Sequence, residues 1–268
     1  MALIQMSMFS ESLQVNTDVN IMIPTPNPID PEESDQAYFQ EGVEYPVLYL
    51  LHGTHGDRGD WHRYTSIERY AQKAKIITVC PSGNNSFYQD MVIGGRYFKF
   101  LTEELPTYMR IMFPVSKKRE NTFIGGLSMG GYGAMNLGIR RPDLYGSVIC
   151  LSAGMGSYAM VGTNKYKHNP YDITPWPFEA ILPPPFDGTG SPLDDLPILT
   201  KHMETGTKLP RIYLAIGTED FIYEAAQKTR KSMDDLGVNY TYEEGPGCHD
   251  WIFWDSYIQR AINWLQER

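Results

Sequence analysis

The sequence predicts an α/β fold with a mostly parallel central sheet and helices on both of its faces. Runs of apolar residues alternate along the 268-residue chain with stretches of helical period. One run, Tyr45 to Leu51, is almost continuously apolar, which is typical of a parallel strand buried on both faces. Strands that alternate with helices imply right-handed crossovers, and these crossovers produce a parallel sheet. The length of the chain suits one large domain of this kind.

The N-terminal segment predicts an edge meander that precedes the buried strands. Gln5 to Phe9 and Ser12 to Ile23 alternate in hydropathy, as strands with one buried face do. Prolines at four positions between Pro24 and Pro31 then interrupt the pattern. The strand from Tyr45 to Leu51 is therefore expected to follow an irregular connection.

The next elements continue the alternation. Ser66 to Ala74 has the period of a short amphipathic helix, and Ile76 to Cys80 is a strand that Pro81 ends. Tyr97 to Met112 has helical period as well. Pro106 must kink or divide that helix, because proline lacks the backbone N–H of an intrahelical hydrogen bond.

The second half of the chain repeats strand and helix as far as the C-terminal residues. Its strands are short apolar runs, and its helices carry one apolar face. The predicted strands are Thr122 to Gly125, Ser147 to Leu151, Arg211 to Ile216 and Asn239 to Glu243. The predicted helices are Gly131 to Arg140, Phe221 to Leu236 and Trp251 to Leu265.

The segment from Met155 to Pro210 differs from the rest of the chain. It contains nine prolines, several aromatic residues and little periodicity, and long loops inside a compact domain are usually functional. Because it lies between two predicted strands, we expect a cap-like, Pro-rich insertion near the active site of a single domain. A passive surface excursion is the alternative. The aromatic residues expected to line a substrate pocket are Trp176, Phe178 and Phe186.

Composition excludes several classes of function. The formal net charge is −9, whereas a protein that binds nucleic acid needs a basic face. The N-terminus has no basic region and no long apolar stretch, so neither a signal peptide nor a membrane anchor is expected. An odd number of widely spaced cysteines favours a reducing, cytoplasmic setting. The sequence leaves open whether the chain forms a homo-oligomer.

The stretch from Gly126 to Gly130 reads Gly-Leu-Ser-Met-Gly and lies between a predicted strand and a predicted helix. A G-x-S-x-G sequence in this context is typical of a sharp turn that exposes a nucleophilic serine. The glycines on both flanks permit the tight backbone, and the helix N-terminus places a positive dipole end near the developing negative charge. Ser128 is therefore the candidate nucleophile. Cys248 is the weaker alternative, since a catalytic cysteine needs its base across space rather than next in sequence.

A base for Ser128 is expected on a loop that follows a later strand. His168 and His202 lie in the Pro-rich insertion, whereas His249 follows the last predicted strand in a loop rich in Gly and Pro. The sequence therefore assigns His249 as the general base of a triad in the chain order Ser, acid, His.

The acid is expected directly after another strand. Asp220 follows the run from Arg211 to Ile216, where a carboxylate can accept a hydrogen bond from the imidazole Nδ1–H and hold the correct tautomer. Glu219 is the competing acid. Helix N-capping is the alternative role for Asp220.

Two backbone N–H groups are needed to stabilise the oxyanion. One is expected from Met129, the residue after the nucleophile, and the other from the loop after the strand that ends at Leu51. In that loop the N–H of Thr54 is the first choice and that of Gly53 the second.

The same loop contains several side chains that bind metals in other proteins, namely His52, His55, Asp57, Asp60 and His62. Their spacing matches no ligand pattern of a structural zinc site. We therefore expect no metal.

These motifs together resemble the esterase D-like branch of the α/β-hydrolases, which includes tributyrin-type esterases, feruloyl esterases and S-formylglutathione hydrolases. The matching sequences are LHG with DW downstream (51–53, 60–61), GLSMGGYGA (126–134), PDLY (142–145), GTED (217–220) and HDW (249–251). The chain is most similar to the short bacterial tributyrin-type esterases. The resemblance implies an α/β-hydrolase fold, no cofactor, and a triad of Ser128, Asp220 and His249. Trp61 of the DW pair is a further candidate for the substrate pocket.

The resemblance implies hydrolysis of small carboxylic esters, with short-chain acyl or aryl and cinnamoyl groups, through an acyl-enzyme. Acyl transfer to an acceptor other than water and thioester hydrolysis of the S-formylglutathione type are the alternatives. S-Formylglutathione hydrolases carry a Cys-containing loop where this chain has HGTHGDRGDW (52–61). A non-catalytic binding module is the remaining alternative, although such a chain would usually have lost a member of the triad.

Overall fold

A computed structural model describes residues 1–27, 40–155, 178–183 and 194–267 of the protein. Eight strands in these residues form one sheet. They are β1 (Ala2–Ser10), β2 (Val15–Ile23), β3 (Val47–Leu51), β4 (Ile77–Pro81), β5 (Thr122–Leu127), β6 (Ser147–Leu151), β7 (Arg211–Gly217) and β8 (Thr241–Gly245). The order across the sheet is β1-β2-β4-β3-β5-β6-β7-β8.

The sheet is antiparallel at one edge and parallel elsewhere. β1 pairs antiparallel with β2, and β2 pairs antiparallel with β4. Every pair from β4 to β8 is parallel. The expected edge meander and the mostly parallel sheet are therefore confirmed, and the architecture is that of the α/β-hydrolase fold.

Helices cover the sheet on both faces. They are α1 (Asp60–Tyr64), α2 (Ile67–Ala74), α3 (Tyr97–Lys99), α4 (Leu105–Met112), α5 (Met129–Arg140), α6 (Phe178–Ile181), α7 (Leu196–Thr205), α8 (Tyr223–Asp235) and α9 (Trp251–Gln266). A π-helical turn, Phe100–Glu104, joins α3 to α4, and a 3₁₀ turn, Arg119–Asn121, precedes β5.

The pleat of β3 divides the hydrophobic core in two. Tyr49 and Leu51 pack on the face that α4 and α5 cover, whereas Leu48 and Leu50 pack on the face that α2 and α9 cover. All five residues of β3 are buried. This explains the continuous apolar run in the sequence, because a strand between two helical layers has no polar face.

Pro106 divides the helix predicted from Tyr97 to Met112, as expected. The backbone widens to the π turn just before it, and α4 begins with Pro106 in its first turn. A proline in the first turn removes no intrahelical hydrogen bond that the new segment needs.

Three helices of the described residues were not expected from the sequence. α1 directly follows the glycine-rich loop after β3, and α6 and α7 lie inside the insertion between 155 and 210. Gly206 ends α7 in the left-handed conformation at φ 67°. Within the residues that the structure describes, no helix is long and apolar enough to cross a membrane.

Candidate active site

Ser128 lies on a strained turn between β5 and α5. Its φ of 53° and ψ of −121° are rare for a residue with a side chain, and such strain persists where the surroundings hold it for function. A Cβ on Gly126 would overlap the backbone of Gly130, and one on Gly130 would overlap the carbonyl of Leu51. The two glycines of the motif are therefore required by close packing around the turn.

His249 contacts both of its expected partners. Its Nε2 lies 2.9 Å from Ser128 Oγ, and its Nδ1 lies 2.9 Å and 3.0 Å from the two carboxylate oxygens of Asp220. Because Nδ1 faces a carboxylate, it carries the proton of the neutral ring, and the lone pair of Nε2 points at the serine hydroxyl. The structure thus brings the three residues together in one hydrogen-bonded chain.

Asp220 is held in place by burial and by its own loop. It is buried, and its Oδ1 also accepts the backbone N–H of Ile222 at 3.0 Å. Helix N-capping was the alternative role for Asp220, but the N-cap of α8 is Ile222, so this bond closes a local turn before the helix.

Glu219 has a different place. Its carboxylate accepts the backbone N–H of Gly247, two residues before His249, and the hydroxyl of Thr218 at 2.8 Å. The Gly247 N–H is the main cause that lowers the pKa of Glu219. Glu219 is exposed and ties the loop of His249 to the loop of the acid, a function that the sequence did not predict.

Aromatic rings enclose the imidazole of His249. Trp254 meets it edge-on with the ring centroids 5.0 Å apart, and Phe221 lies at 4.5 Å on another side. The Trp254 indole N–H donates to Ser152 Oγ at 2.9 Å, which fixes the orientation of that ring. The side chain of Asp250 caps α9 by accepting the N–H groups of its first turn at 3.0–3.1 Å.

The expected oxyanion loop lies against the nucleophile. A Cβ on Gly53 would stand 2.8 Å from Leu127 Cδ1 and 3.4 Å from Ser128 Cβ, so the loop backbone passes directly over the serine turn. Thr54 lies on the same cleft as Ser128. Met129 is the first residue of α5, where the helix leaves backbone N–H groups without intrahelical partners.

His52 is buried and holds this loop from beneath. Its Nδ1 lies 2.7 Å from the carbonyl of Gly53, and its Nε2 accepts the N–H of Gly83 at 2.8 Å. The ring is therefore neutral with its proton on Nδ1, and burial lowers its pKa. The sequence had presented His52 only as part of a motif and of a rejected metal cluster.

The other polar residues of the rejected metal cluster have partners of their own. Asp57 accepts the N–H of Gly59 at 2.5 Å, the N–H of His55 donates to Asn85, and His62 contacts Asn20 at 3.3 Å. Among the residues that the structure describes, no three His, Cys, Asp or Glu side chains are grouped as metal ligands.

A cleft of about 320 Å³ opens over the serine. Its described lining consists of Gly53, Thr54, Asp60, Leu127, Ser128, His249, Asp250, Trp251 and Trp254. The expectation that Trp61 contacts substrate is wrong for this structure, because its side chain is fully buried and its indole N–H donates to the carbonyl of Leu51 at 3.1 Å. Trp251, packed edge-on against Trp61 at 5.6 Å, lines the cleft in its place.

The aromatic residues expected in the insertion have no described side chains. Trp176 and Phe186 lie outside the described residues, and Phe178 begins α6 with its side chain undescribed. Their role as a pocket wall stays a prediction.

Comparison with known proteins shows the family to which the chain belongs. A family model for putative esterases matches residues 10–265. The chain belongs to this esterase family. A curated relative, the acetyl esterase of Caldicellulosiruptor saccharolyticus, is 32% identical over 271 residues, covering all of this chain and 99% of the relative.

Solved structures agree with this assignment. A fluorophosphonate-binding serine hydrolase of Staphylococcus aureus is 29% identical with a TM-score of 0.85, and an S-formylglutathione hydrolase of the same organism is 29% identical with a TM-score of 0.80. Each comparison covers 98% of both chains. A ferulic acid esterase, 21% identical with a TM-score of 0.77, shares the fold. The esterase D-like resemblance is thereby confirmed, and the esterase described here is a serine hydrolase of carboxylic esters.

Proposed function

We propose that the esterase hydrolyses its esters in two steps with Ser128 as nucleophile, His249 as general base and Asp220 as the residue that orients the base. The observation that supports this most directly is the continuous chain of 2.9 Å contacts from Asp220 through His249 to Ser128 Oγ. A serine hydroxyl needs such a base, because it is a poor nucleophile at neutral pH.

In the first step, His249 Nε2 accepts the hydroxyl proton while Ser128 Oγ bonds to the carbonyl carbon of the ester. The developing imidazolium is stabilised by the buried Asp220 carboxylate. His249 then donates this proton to the departing alcohol oxygen, and the acyl group stays on Ser128. Water repeats the sequence, with His249 again as base, and releases the acid.

The oxyanion of each step is assigned to the N–H of Met129 and to the N–H of Thr54, with Gly53 as the alternative donor. The position of Met129 at the first turn of α5 supports this, because the dipole of the helix favours negative charge there. The close approach of the Gly53 backbone to the serine turn supports a donor from the facing loop. Losing one such donor typically costs about 10²–10³-fold in rate.

The decisive experiment compares two single variants, Ser128→Ala and Cys248→Ala. We expect Ser128→Ala to fold and to lose esterase activity on the order of 10⁴-fold or more. Cys248 is exposed and outside the triad, so Cys248→Ala should keep wild-type activity. A slowly deacylated aryl ester should add one acyl mass to the wild-type peptide that contains Ser128. Activity near wild type in folded Ser128→Ala would overturn the proposal.

The preferred acyl group is proposed to be small. An acetyl esterase is 32% identical over the whole chain, which supports short acyl esters over long ones. A panel of acetyl, butyryl, octanoyl and feruloyl esters of one alcohol tests this. Thioester hydrolysis is the second candidate, because one similar structure is an S-formylglutathione hydrolase. Acyl transfer would be seen as ester formation when an alcohol is added to the assay.

The segment from 155 to 210 is proposed as a cap within a single domain. Its described ends are tied to the body of the fold, since the Met155 N–H donates to Thr229 Oγ1 at 2.9 Å and Asp195 bonds to Asn136.

All three cysteines, Cys80, Cys150 and Cys248, are free thiols. This supports the proposal that the esterase works in a reducing compartment such as the cytoplasm.

A further inference from the structure

The cleft over Ser128 has an asymmetric charge. Two carboxylates, Asp60 and Asp250, are part of its described lining, and that lining includes no lysine or arginine. Asp250 is already engaged, because its side chain accepts two N–H groups of α9. The backbone N–H of Asp57 approaches Asp60 as well, and Asp60 is the carboxylate of this wall that does not cap a helix.

Asp60 is half-buried at the first position of α1 and is directed over Gly56. Its Oδ2 occupies the space that a Cβ on Gly56 would take, which fixes the side chain against the loop. Arg58 pairs with Asp18 at 3.0 Å, and the Arg63 guanidinium lies over the ring of Tyr64 at 5.4 Å, although Arg63 is near enough to lower the pKa of Asp60.

An indole lines the same cleft as this carboxylate. Trp251 is held edge-on by Trp254 at 5.1 Å and is packed against Tyr64 at 5.0 Å. A tryptophan ring attracts a cation through its quadrupole, most strongly where the cation is partly desolvated. A carboxylate and a fixed indole in one cleft thus form a suitable environment for an ammonium group.

We propose that Asp60 is a specificity-determining residue, which favours esters with an ammonium group near the scissile bond and disfavours esters with a carboxylate there. The inference rests on the proposed function, since it assigns the substrate class of that same cleft. Because a unit charge in a partly screened cleft interacts only moderately with Asp60, we expect about a fivefold change in kcat/KM per charge.

The preference should depend on pH. Burial is the main cause that raises the pKa of Asp60, so its charge is gained at a higher pH than for an exposed aspartate. Discrimination between cationic and neutral esters should therefore rise as the pH increases through this pKa. The titratable groups that face Asp60 within the protein are His52, Asp57, Arg63, Cys80 and Tyr88, and His249 and Asp250 share its cleft.

The test uses three aryl acetates that differ at one position. The substrates are 4-(trimethylammonio)phenyl acetate, its neutral isostere 4-tert-butylphenyl acetate, and 4-carboxyphenyl acetate. Leaving-group differences cancel when each kcat/KM of Asp60→Asn is divided by the wild-type value. We expect this quotient to fall about fivefold for the cation relative to the neutral isostere, and to rise by a similar factor for the anion.

Asp57→Asn is the matched control. Asp57 is in the same loop and carries the same charge, but it caps Gly59 and is not part of the described lining. It should leave the cation-to-neutral ratio within about twofold of wild type. Equal quotients for all three substrates in Asp60→Asn would overturn the inference and leave the esterase assignment intact. A wild-type enzyme that hydrolyses none of the three would instead contradict the proposed function.

A second measurement needs no variant. The wild-type ratio of cationic to neutral ester should shrink when NaCl is raised from about 20 mM to about 0.5 M, because salt screens charges in an open cleft. The ratio should also decrease on lowering the pH, while Asp60→Asn, if folded, shows a flat ratio. A wild-type ratio that responds to neither salt nor pH would overturn the inference even if the variant does not fold.

Discussion

The hydroxyl of Tyr88 donates a 2.8 Å hydrogen bond to the carbonyl oxygen of His52. The ring of the same histidine accepts the N–H of Gly83. One loop after β4 therefore holds both the backbone and the side chain of the residue that precedes Gly53. Tyr88 and Phe87 both adopt positive φ, 58° and 50°, which is costly for residues with side chains. The strain is concentrated where the loop supports the proposed oxyanion donors.

Tyr88→Phe should lower kcat more than it raises KM. Without the hydroxyl, the carbonyl of His52 loses a buried partner, and the Gly53–Thr54 backbone should be less well placed for the transition state. We expect kcat to fall roughly tenfold and stability to fall by about 1–2 kcal/mol. Steady-state kinetics and urea unfolding measure the two effects.

Tyr145→Phe is the control for this effect. Tyr145 is also fully buried and donates to a backbone carbonyl, that of Leu101 at 3.0 Å. It should lose similar stability and keep kcat. If both variants lose kcat in proportion to stability, the hydroxyl of Tyr88 has no special link to the site.

Asp220→Asn should reduce kcat/KM by about 10³–10⁴-fold near neutral pH, since an amide would hold His249 in the wrong tautomer. Glu219→Gln should reduce it far less, because a glutamine oxygen can still accept the Gly247 N–H. The two variants are compared by their initial rates on one acetyl ester. A larger loss in Glu219→Gln than in Asp220→Asn would assign the role of the acid to Glu219.

The positions of the proposed triad could be predicted because each lies at a point where a strand ends. Ser128 follows β5, Asp220 follows β7 and His249 follows β8, and parallel strands end at the same edge of the sheet. The strand patterns are local, so the edge could be found without knowing how distant segments pack. The strand pattern separates Asp220 from Glu219 less well, because both residues directly follow β7 and they differ mainly in where their side chains point.

Long-range side-chain contacts could not be predicted in this way. Tyr88 and His52 are 36 residues apart, and no periodicity connects them. The contact of Glu219 with Gly247 is similar, because it joins two loops. Trp61 was misplaced for the same reason. Its neighbours in sequence suggest a site residue, whereas the register of α1 turns its ring into the core.

Asp195→Asn should alter how stability depends on pH. Asp195 is fully buried at the start of α7, contacts Asn136 and Arg140, and leaves its Oδ2 without a hydrogen bond. Burial raises its pKa to about 7. The folded protein therefore binds a proton that the unfolded chain has released between about pH 4 and 7, so this group lowers stability as the pH rises through that window.

The variant removes that dependence. The free energy of unfolding of Asp195→Asn should improve relative to wild type by on the order of 1–3 kcal/mol between about pH 4.5 and pH 8. Urea unfolding at several pH values measures the difference. Asp194→Asn, at the adjacent and half-exposed position, should follow the wild-type curve. A constant difference between Asp195→Asn and wild type across the range would show that Asp195 does not titrate in this window.

The aromatic residues of the insertion give the last prediction. If Trp176, Phe178 and Phe186 wall the pocket, truncating one to Ala should change the ratio of kcat/KM between an acetyl and a bulky acyl ester. One methylene in an apolar pocket is worth about 1–3 kcal/mol, so the ratio should shift roughly 10-fold or more for a residue in contact. If the rings only pin the segment to the fold, each variant should lose stability and keep the ratio. Thermal melts and a two-ester assay on the three variants separate these outcomes, and unchanged ratios with lowered melting temperatures would reject the pocket role.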